Sequence, residues 1–496
     1  MATEICSVHK TIKKRYSAFT RDETLRAKVF RGGVWLGGAS FVEQTIRFGR
    51  NMLLTRLLAP EAFGAMAIVQ SATTLIQMTV DVGAREALIQ NPKGEEESHV
   101  TAAFWMTASR ALFLYLLIYI LAPTASMFYG NADLATLARV VSLSVLFDGL
   151  ISPRAYVAMK TMKFWKWAAV NNGGGILGVI TAIALGVYMR DVWALAIGFC
   201  AENAARCVLS YSICPYRPRL PRFEAIRDLL RFSKGLIGLV LFNFVFMRTD
   251  VFVIGKLYSP AELGLYSMAV YLIQTPAGFV VNVMNQTLLP AMSRVQSDNV
   301  RLNRILLQLT EATVWIGLPA TVFAVFCAHS LLTVAYGPRY GSASIALGLA
   351  CCAALLNILN NQITQAFYAK GLPQLHRRSV GIMAVAALMM VYPLVKLLGA
   401  WGGQLACLIA IIVGYSLQVE RIRGVTGLKI SQYWHVFPIP VCTSIGIAVL
   451  WAFFSGYTIV SRPAPRILMG LALCLLTYCL AGALRYRQAR VAQSEI

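Results

Sequence analysis

The sequence predicts an all-α membrane protein with about fourteen transmembrane helices, built from two similar halves. Of its 496 residues, 57% are hydrophobic and 14% are charged, and the mean hydropathy is +0.62, far from the composition of a soluble domain. Apolar runs of about twenty residues, long enough to cross a bilayer core, recur along the whole chain. Helices rather than strands are expected because backbone groups in lipid have to be hydrogen-bonded within their own segment.

The apolar segments are separated by short polar or basic connections. The predicted spans cover residues 32–55, 62–90, 100–122, 134–158, 166–189, 192–213, 234–256, 262–289, 305–328, 343–369, 379–398, 400–420, 435–455 and 466–484. Pro153, Pro276, Pro319 and Pro393 interrupt spans and would allow their helices to bend.

An internal repeat divides the chain. Residues 56–64 read RLLAPEAFG, and residues 256–264, 200 positions later, read KLYSPAELG. In both copies a basic residue and Leu close an apolar run, and Pro and Gly then stand four positions apart. Six spans separate the copies, and this even number predicts two halves related by an axis along the membrane normal, as in transporters with duplicated bundles.

The repeat and the charge pattern divide the chain into five parts. Residues 1–31 are expected to be a basic cytoplasmic tail, residues 32–213 a first six-helix bundle, residues 214–233 a cytoplasmic linker, residues 234–423 a second six-helix bundle, and residues 424–496 two extra helices with a cytoplasmic C-terminal tail. The linker alternates Pro, Arg and apolar residues, which is typical of an amphipathic helix at the membrane interface.

The formal charge of +23 is distributed as in a membrane protein and not as in a nucleic-acid-binding protein. With the N-terminus in the cytoplasm, segments on that side carry 30 of the 45 Lys and Arg residues, and outside segments carry 7. The positive-inside rule favours this orientation, so both termini are predicted to be cytoplasmic. The basic tail would lie against anionic lipid headgroups.

Other motifs argue against an enzyme or a cofactor protein. Residues 173–178 read GGGILG, but the GxGxxG motif of dinucleotide-binding proteins follows a strand, and here small residues that let membrane helices approach are the better explanation. The eleven cysteines and five histidines are scattered, so we expect no metal site and no cofactor. The outside loops are too short for a catalytic domain.

Charged side chains inside the spans are the strongest functional signal. Each costs about 2.5–3.5 kcal/mol at a helix centre and therefore has to face a cavity or a partner. In the first span, Glu43, Arg47 and Arg50 share one helix face, and Asn51 makes the segment unusually polar. Pairing of Glu43 with Arg47 is the structural alternative, but it leaves one arginine over. Such a cationic surface suits a phosphate or pyrophosphate, which guanidinium groups bind in bidentate fashion.

Further charged residues are candidates of two kinds. The candidate substrate-binding residues are Arg47, Arg50, Glu43, Asn51, Arg85, Arg110 and Arg248. The candidate carboxylates for a coupling ion are Asp81, Asp148, Glu202, Asp250 and Glu311, and spacing alone prefers none of them. Asp81 with Arg85, and Glu202 with Arg206, stand four apart on one helix, so mutual pairing is an equally good explanation there.

The stretch from Arg56 to Gln90 resembles the corresponding region of Wzx-type polysaccharide flippases. Its RLLAPEAFG start, its Asp81-x-Gly83 and its ALIQ end carry the resemblance, and the second copy, KLYSPAELGLYSMA, is also similar to theirs. These flippases form the polysaccharide transporter family of the multidrug/oligosaccharidyl-lipid/polysaccharide exporter superfamily. The resemblance covers residues 32–423 and implies two six-helix bundles forming a V, alternating access and a cationic cavity in the first bundle.

The resemblance also implies the substrate and its path. An undecaprenyl-pyrophosphate-linked oligosaccharide would cross the bacterial inner membrane for exopolysaccharide or O-antigen synthesis. Within the family, the sequence resembles exporters of exopolysaccharides such as succinoglycan, colanic acid or xanthan. Matched residue by residue, Arg47 and Arg50 would meet the pyrophosphate, with Asp81 and Arg85 nearby. Besides this substrate and membrane lipids, a polysaccharide polymerase and a co-polymerase are candidate partners.

Three other functions remain open. A multidrug or metabolite antiporter would share the fold, but its cavity is expected to be acidic or aromatic, whereas the spans of the first half hold seven arginines against five acids. A membrane polysaccharide polymerase or ligase would place catalytic groups on a large outside loop. A scaffold within a synthesis complex would not require arginines in a cavity.

Overall fold

In the computed structural model, the chain is described over residues 25–80, 83–221, 223–233, 239–455 and 463–472, and helices make up nearly all of this length. No strand occurs in these segments, and the predicted all-α class is confirmed. Residues 25–31, which belong to the predicted tail, are helical and continue into the first predicted span.

The helices of the first half are interrupted more often than the sequence predicts. They are α1 (Leu25–Leu57), α2 (Pro60–Thr79), α3 (Ala84–Gln90), α4 (Glu97–Tyr129), α5 (Asp133–Gly149), α6 (Arg154–Lys160), α7 (Phe164–Met189) and α8 (Val192–Ile213). α9 (Phe223–Ser233) follows as a short helix within the predicted linker.

The helices of the second half follow the predicted spans closely. They are α10 (Leu239–Leu257), α11 (Pro260–Ser293), α12 (Asn299–Phe326), α13 (Ala328–Tyr336), α14 (Ser344–Ala369), α15 (Pro373–Leu398), α16 (Trp401–Thr426), α17 (Ile430–Trp434) and α18 (Pro438–Ser455). Residues 463–472 are also helical, and the rest of the last predicted span lies outside the described residues.

Two predicted spans of the first half are broken. A single helix over 62–90 is wrong, because α2 ends at Thr79 and α3 begins after Gly83, whose φ of +56° is a left-handed conformation that glycine adopts without steric cost. The span predicted over 134–158 consists of α5 and α6, which are bent by 57° relative to each other. Pro153 explains that bend, since the residue before a proline avoids the helical conformation.

Nine helices within the described segments are long and apolar enough to cross a membrane, or ten if α5 and α6 form one bent span. The chain is therefore a multi-pass membrane protein. α1, α2 and α10 lie at predicted spans but do not reach this apolar content, because they carry polar and charged residues such as Arg47, Gln70 and Asp250. The total of fourteen spans stays a prediction.

Each copy of the repeated motif starts a helix, α2 in the first half and α11 in the second. These two helices form a contact between the halves. Pro60 and Pro260 each occupy the first position of their helix, where a missing N–H group costs nothing. Beside this start, a buried apolar cluster combines Phe63 of the first half with Met268 and Leu332 of the second. The halves are thus in close contact at the end of the molecule where α2 and α11 begin.

Candidate functional site

A cavity of about 480 Å³ lies between the two halves, and we call it the main cavity. α1, α2, α5 and α8 line it from the first half, and α10 and α11 line it from the second. Its polar lining includes Arg47, Arg50, Asn51, Gln70, Arg248 and Gln274. Its size falls in the range of roughly 300–1,000 Å³ that is typical of ligand pockets.

α1 brings its polar face to the main cavity. Arg47, Arg50 and Asn51 line the cavity together because residues three and four apart share a helix face. The buried Asn51 side chain accepts a hydrogen bond from Nε of Arg50 at 3.2 Å. This bond orients the Arg50 guanidinium within the cavity wall.

Glu202 of α8 is the centre of an ion-pair cluster beside this face. Its side chain is only 1% exposed, and it pairs with Arg47 of α1 and, at 2.8 Å, with Arg206 of α8. Nη1 of Arg50 lies 3.9 Å from its second carboxylate oxygen. A carboxylate this deeply buried requires several such partners, because its desolvation costs several kcal/mol.

Glu43 of α1 completes the cluster. Its Oε1 atom lies 3.0 Å from Nη2 of Arg47 and 3.4 Å from Nη2 of Arg206. Asn171 of α7 donates a hydrogen bond to its other oxygen at 2.7 Å. The cluster of Glu43, Arg47, Arg50, Glu202 and Arg206 therefore holds three guanidinium groups and two carboxylates, which leaves a formal surplus of one positive charge.

The pairings that the sequence suggests along single helices occur, but they describe only part of the cluster. Glu43 pairs with Arg47, and Glu202 pairs with Arg206, each within its own helix. The bond between Glu202 and Arg47 crosses from α8 to α1, and nothing in the sequence predicts it. Glu202, a candidate for ion coupling, is thus held by arginines.

Two glycines of the GGGILG sequence bring α7 and α8 together next to this cluster. A Cβ atom on Gly174 would overlap the side chain of Arg206, and a Cβ atom on Gly178 would overlap that of Glu202. The close helix approach expected from these small residues is confirmed. It positions the charged residues of α8 against α1.

The charged residues of α10 have two different environments. Asp250 is 4% exposed and accepts a hydrogen bond from the hydroxyl of Tyr266, which also lies 3.2 Å from Oε1 of Gln404. Arg248 is exposed and lines the main cavity. Among the residues that the structure describes, neither side chain has an oppositely charged group within 4 Å.

Arg85 and Arg110 line a second cavity within the first half, whereas Arg47 and Arg50 line the main cavity. The closeness of Arg85 to Arg47 and Arg50 stays a prediction, and the break at Gly83 places Arg85 on a separate helix, α3. Asp148 lines both cavities, and Glu311 of α12 lines neither. Asp81 lies outside the described residues.

Several neutral polar residues also line the main cavity, and none of them is among the residues predicted from the sequence. Gln70, Thr74 and Gln77 follow one another at helical spacing along α2, and Tyr271 and Gln274 do so along α11. Their signal in the sequence is a polar stripe at spacings of three and four within an apolar span. No three His, Cys, Asp or Glu side chains come together as metal ligands in the described segments.

The matching family model and the named relatives are all described as biosynthesis proteins. A family model described as polysaccharide biosynthesis protein matches residues 53–345. The succinoglycan biosynthesis transport protein ExoT of Rhizobium meliloti is 26% identical over 71% of this chain and 71% of its own length. The teichuronic acid biosynthesis protein TuaB of Bacillus subtilis is 20% identical over 94% of this chain and 98% of its own length.

Among solved structures, the inward closed conformation of the lipid II flippase MurJ is similar to this chain. The two superpose with a TM-score of 0.75 at 15% sequence identity, covering 91% of this chain and 98% of that one. At this identity the likeness shows a shared fold.

Proposed function

The chain belongs to the polysaccharide biosynthesis protein family, and from this premise we propose that it is a lipid-linked oligosaccharide flippase. It moves an undecaprenyl-pyrophosphate-linked repeat unit across the bacterial inner membrane for exopolysaccharide or O-antigen synthesis. The transport role in the name of the ExoT relative and the fold shared with a lipid II flippase support this proposal.

The observation that carries the proposal is the surplus of positive charge at the main cavity. The cluster around Glu202 has one more guanidinium than carboxylates, and Arg248 adds a cation from the opposite half. Of the two acids in the lining, Asp148 pairs with Arg85 at 3.9 Å, so Asp250 is the carboxylate that offsets one of these charges and a surplus of one remains. A diphosphate group supplies the missing negative charge, and guanidinium groups bind its oxygens in bidentate pairs. The cavity thus suits the charged part of a lipid-linked sugar.

The cavity residues divide into two roles. Arg47, Arg50 and Arg248 contact the diphosphate, since their side chains line the cavity. Glu43 and Asn51 position arginines, because each makes a hydrogen bond with a guanidinium of α1. Glu43 carries the same sign of charge as the bound anion and therefore acts through Arg47 without contacting the diphosphate.

Transport follows alternating access between two bundles, residues 32–213 and 234–423, joined by the linker 214–233. The 30-to-7 distribution of Lys and Arg favours cytoplasmic termini, which places the contact between the starts of α2 and α11 at the periplasmic end. In this conformation the two halves are therefore closed on the periplasmic side. The two extra helices predicted for residues 424–496 have no counterpart in the repeated halves.

Asp250 is the coupling candidate that fits best, with an ion gradient or the membrane potential as the energy source. Its carboxylate is buried beside the main cavity and is hydrogen-bonded to Tyr266 rather than held by arginines as Glu202 is. In its charged form it accepts from Tyr266; once protonated, it donates to Tyr266, which can then donate to Gln404. Protonation thus changes a contact between α11 and α16.

A multidrug or metabolite antiporter of the same fold is the main alternative. Such a transporter for cations requires a cavity of net negative character. Here the acids of the lining are Asp148 and Asp250, and three arginines stand against them.

The relatives and the fold neighbour are transporters or biosynthesis proteins rather than polymerizing enzymes, so the chain is not assigned an enzymatic activity. A polysaccharide polymerase and a co-polymerase are proposed partners.

Translocation of a labelled undecaprenyl-diphosphate sugar in proteoliposomes tests the proposal. Arg50→Ala and Arg248→Ala are each expected to lower the initial rate by about 10- to 100-fold, because each removes charged hydrogen bonds to the diphosphate. Arg139→Ala is the matched control, since Arg139 packs over the ring of Tyr119 at 4.6 Å and lines neither cavity. Unchanged rates in both test variants would contradict the proposal.

A further inference from the structure

The second cavity, of about 250 Å³, lies beside the main cavity within the first half. α2, α4 and α5 form most of its wall, and Arg85 of α3 and Tyr156 of α6 complete it. Thr74, Gln77 and Asp148 line both cavities, so the two spaces adjoin. The side chains of these three residues stand between the two spaces, so a ligand group in one cavity lies close to a ligand group in the other.

Arg85 is compensated within the protein. Its Nη2 atom donates to the Tyr156 hydroxyl at 3.2 Å and lies 3.9 Å from the Asp148 carboxylate. Its guanidinium also lies 4.7 Å from the ring centre of Tyr156 and 5.6 Å from that of Trp167. These contacts satisfy the cation without an anionic ligand.

Arg110 is compensated by the end of α2. It donates to the carbonyl oxygen of Gln77 at 2.6 Å and to that of Val80 at 2.8 Å. Carbonyl groups in the last turn of a helix lack partners within the helix and carry partial negative charge. The two arginines of the second cavity therefore create no anion site comparable to that of the main cavity.

The remaining lining suits a neutral ligand with many hydroxyl groups. Thr74, Gln77 and Thr107 offer hydroxyl and amide groups, and the carboxylate of Asp148 is 45% exposed and can accept from hydroxyls. Leu114 and Val145 form an apolar part of the wall. A sugar ring combines hydroxyl groups at its edge with apolar C–H faces, and it matches this mixture.

We propose that the second cavity binds the sugar ring attached directly to the diphosphate, while the diphosphate occupies the main cavity; this inference rests on the proposed function. The polar stripe of Gln70, Thr74 and Gln77 runs along α2 from one cavity to the other. The second cavity lies toward the end of α2 opposite the contact between the halves. In the proposed orientation this is the cytoplasmic side, where the sugars of an incoming substrate are located.

Equilibrium binding to the full-length protein in nanodiscs tests this assignment with two kinds of probe. One is undecaprenyl diphosphate, and the other is the same lipid carrying a single glucose or galactose. Thr107→Phe fills the second cavity, and the nearly isosteric Thr107→Val removes only the hydroxyl. Thr181→Phe is the matched control, because its hydroxyl makes the same bond to the carbonyl four residues earlier and it lines neither cavity.

We expect Thr107→Phe to weaken binding of the sugar-bearing lipid by about tenfold and Thr107→Val to weaken it by a few-fold, with the affinity for the bare diphosphate unchanged. Arg50→Ala should weaken binding of both lipids equally. An unchanged ratio of the two affinities in both Thr107 variants would overturn the sugar assignment. If the wild-type protein bound neither lipid, the proposed flippase function itself would fail.

Discussion

Gly64 lies so close to the backbone carbonyl of Pro260 that no Cβ atom could be placed on it without overlap. The repeat makes this contact reciprocal, because Gly264 lies in the same way against the carbonyl of Pro60. The two copies of the motif thus pack against each other across the boundary between the halves. Their glycines are required by close backbone approach, as at other helix crossings in membranes.

Substituting these glycines is expected to open this end of the molecule. Gly64→Ala or Gly264→Ala places a methyl group against backbone atoms, which cannot rotate away, so conformations with the halves separated there become favoured. The measurement is the labelling rate of a cysteine introduced at Ala67 in the main cavity, using a maleimide that cannot cross the membrane. Added from the periplasmic side, it should react faster in both variants.

The control for this experiment is Gly49→Ala, since nothing lies within 4 Å of a Cβ atom at that position on α1. It should label at the rate of the parent protein. Equal rates in all variants would show that the contact between the motifs does not hold this end closed.

Removing the charge of Glu202 is expected to destabilise the protein. Glu202→Gln leaves the guanidinium groups of Arg47, Arg50 and Arg206 with Glu43 as the remaining carboxylate of the cluster. Breaking a buried ion pair from one side costs about 3–5 kcal/mol, because the other charge stays buried. Thermal unfolding of the purified protein in detergent should show a lower midpoint than the wild type.

Glu224→Gln is the matched control for Glu202→Gln, because Glu224 is exposed on α9. Its unfolding midpoint should match that of the wild type. A wild-type midpoint for Glu202→Gln would mean that the cluster does not contribute to stability.

At Arg50, the contribution of positive charge to diphosphate binding can be measured separately from that of guanidinium geometry. Arg50→Lys keeps a positive charge but loses the planar guanidinium that binds two phosphate oxygens at once. We expect it to weaken undecaprenyl diphosphate binding by about tenfold, and Arg50→Ala to weaken it by about 100-fold. Arg139→Lys serves as the control, and equal affinities for Arg50→Lys and the wild type would argue against bidentate binding.

Proton coupling is expected to depend on Asp250. Asp250→Asn keeps the size of the side chain and its contact with Tyr266 but cannot take up a proton. Translocation in proteoliposomes should then become insensitive to an imposed proton gradient that accelerates the wild type. Glu311→Gln, at a carboxylate that lines neither cavity, should keep the wild-type response. A retained gradient response in Asp250→Asn would exclude Asp250 as the coupling group.

Local features of the sequence predicted much of the architecture. The span predicted over 192–213 corresponds to the observed helix Val192–Ile213, because Asp191 caps its start and apolar residues continue to its end. The break at Gly83 was missed because the apolar residues resume at Ala87, so the charged residues Asp81, Arg85 and Glu86 were counted within one span. The position of Arg85 on a separate short helix that lines the second cavity could therefore not be anticipated.

The sequence by itself determined that this chain is helical, lies in a membrane and presents Arg47 and Arg50 on one face. Hydropathy and helical spacing are local properties, so they can be read without a fold. Only the tertiary structure decided that Glu202, 155 positions from Arg47, is its partner, and that Asp250 faces Tyr266 instead of an arginine. Such partners depend on which helices pack together and at what rotation, and the order of residues along one helix does not specify either.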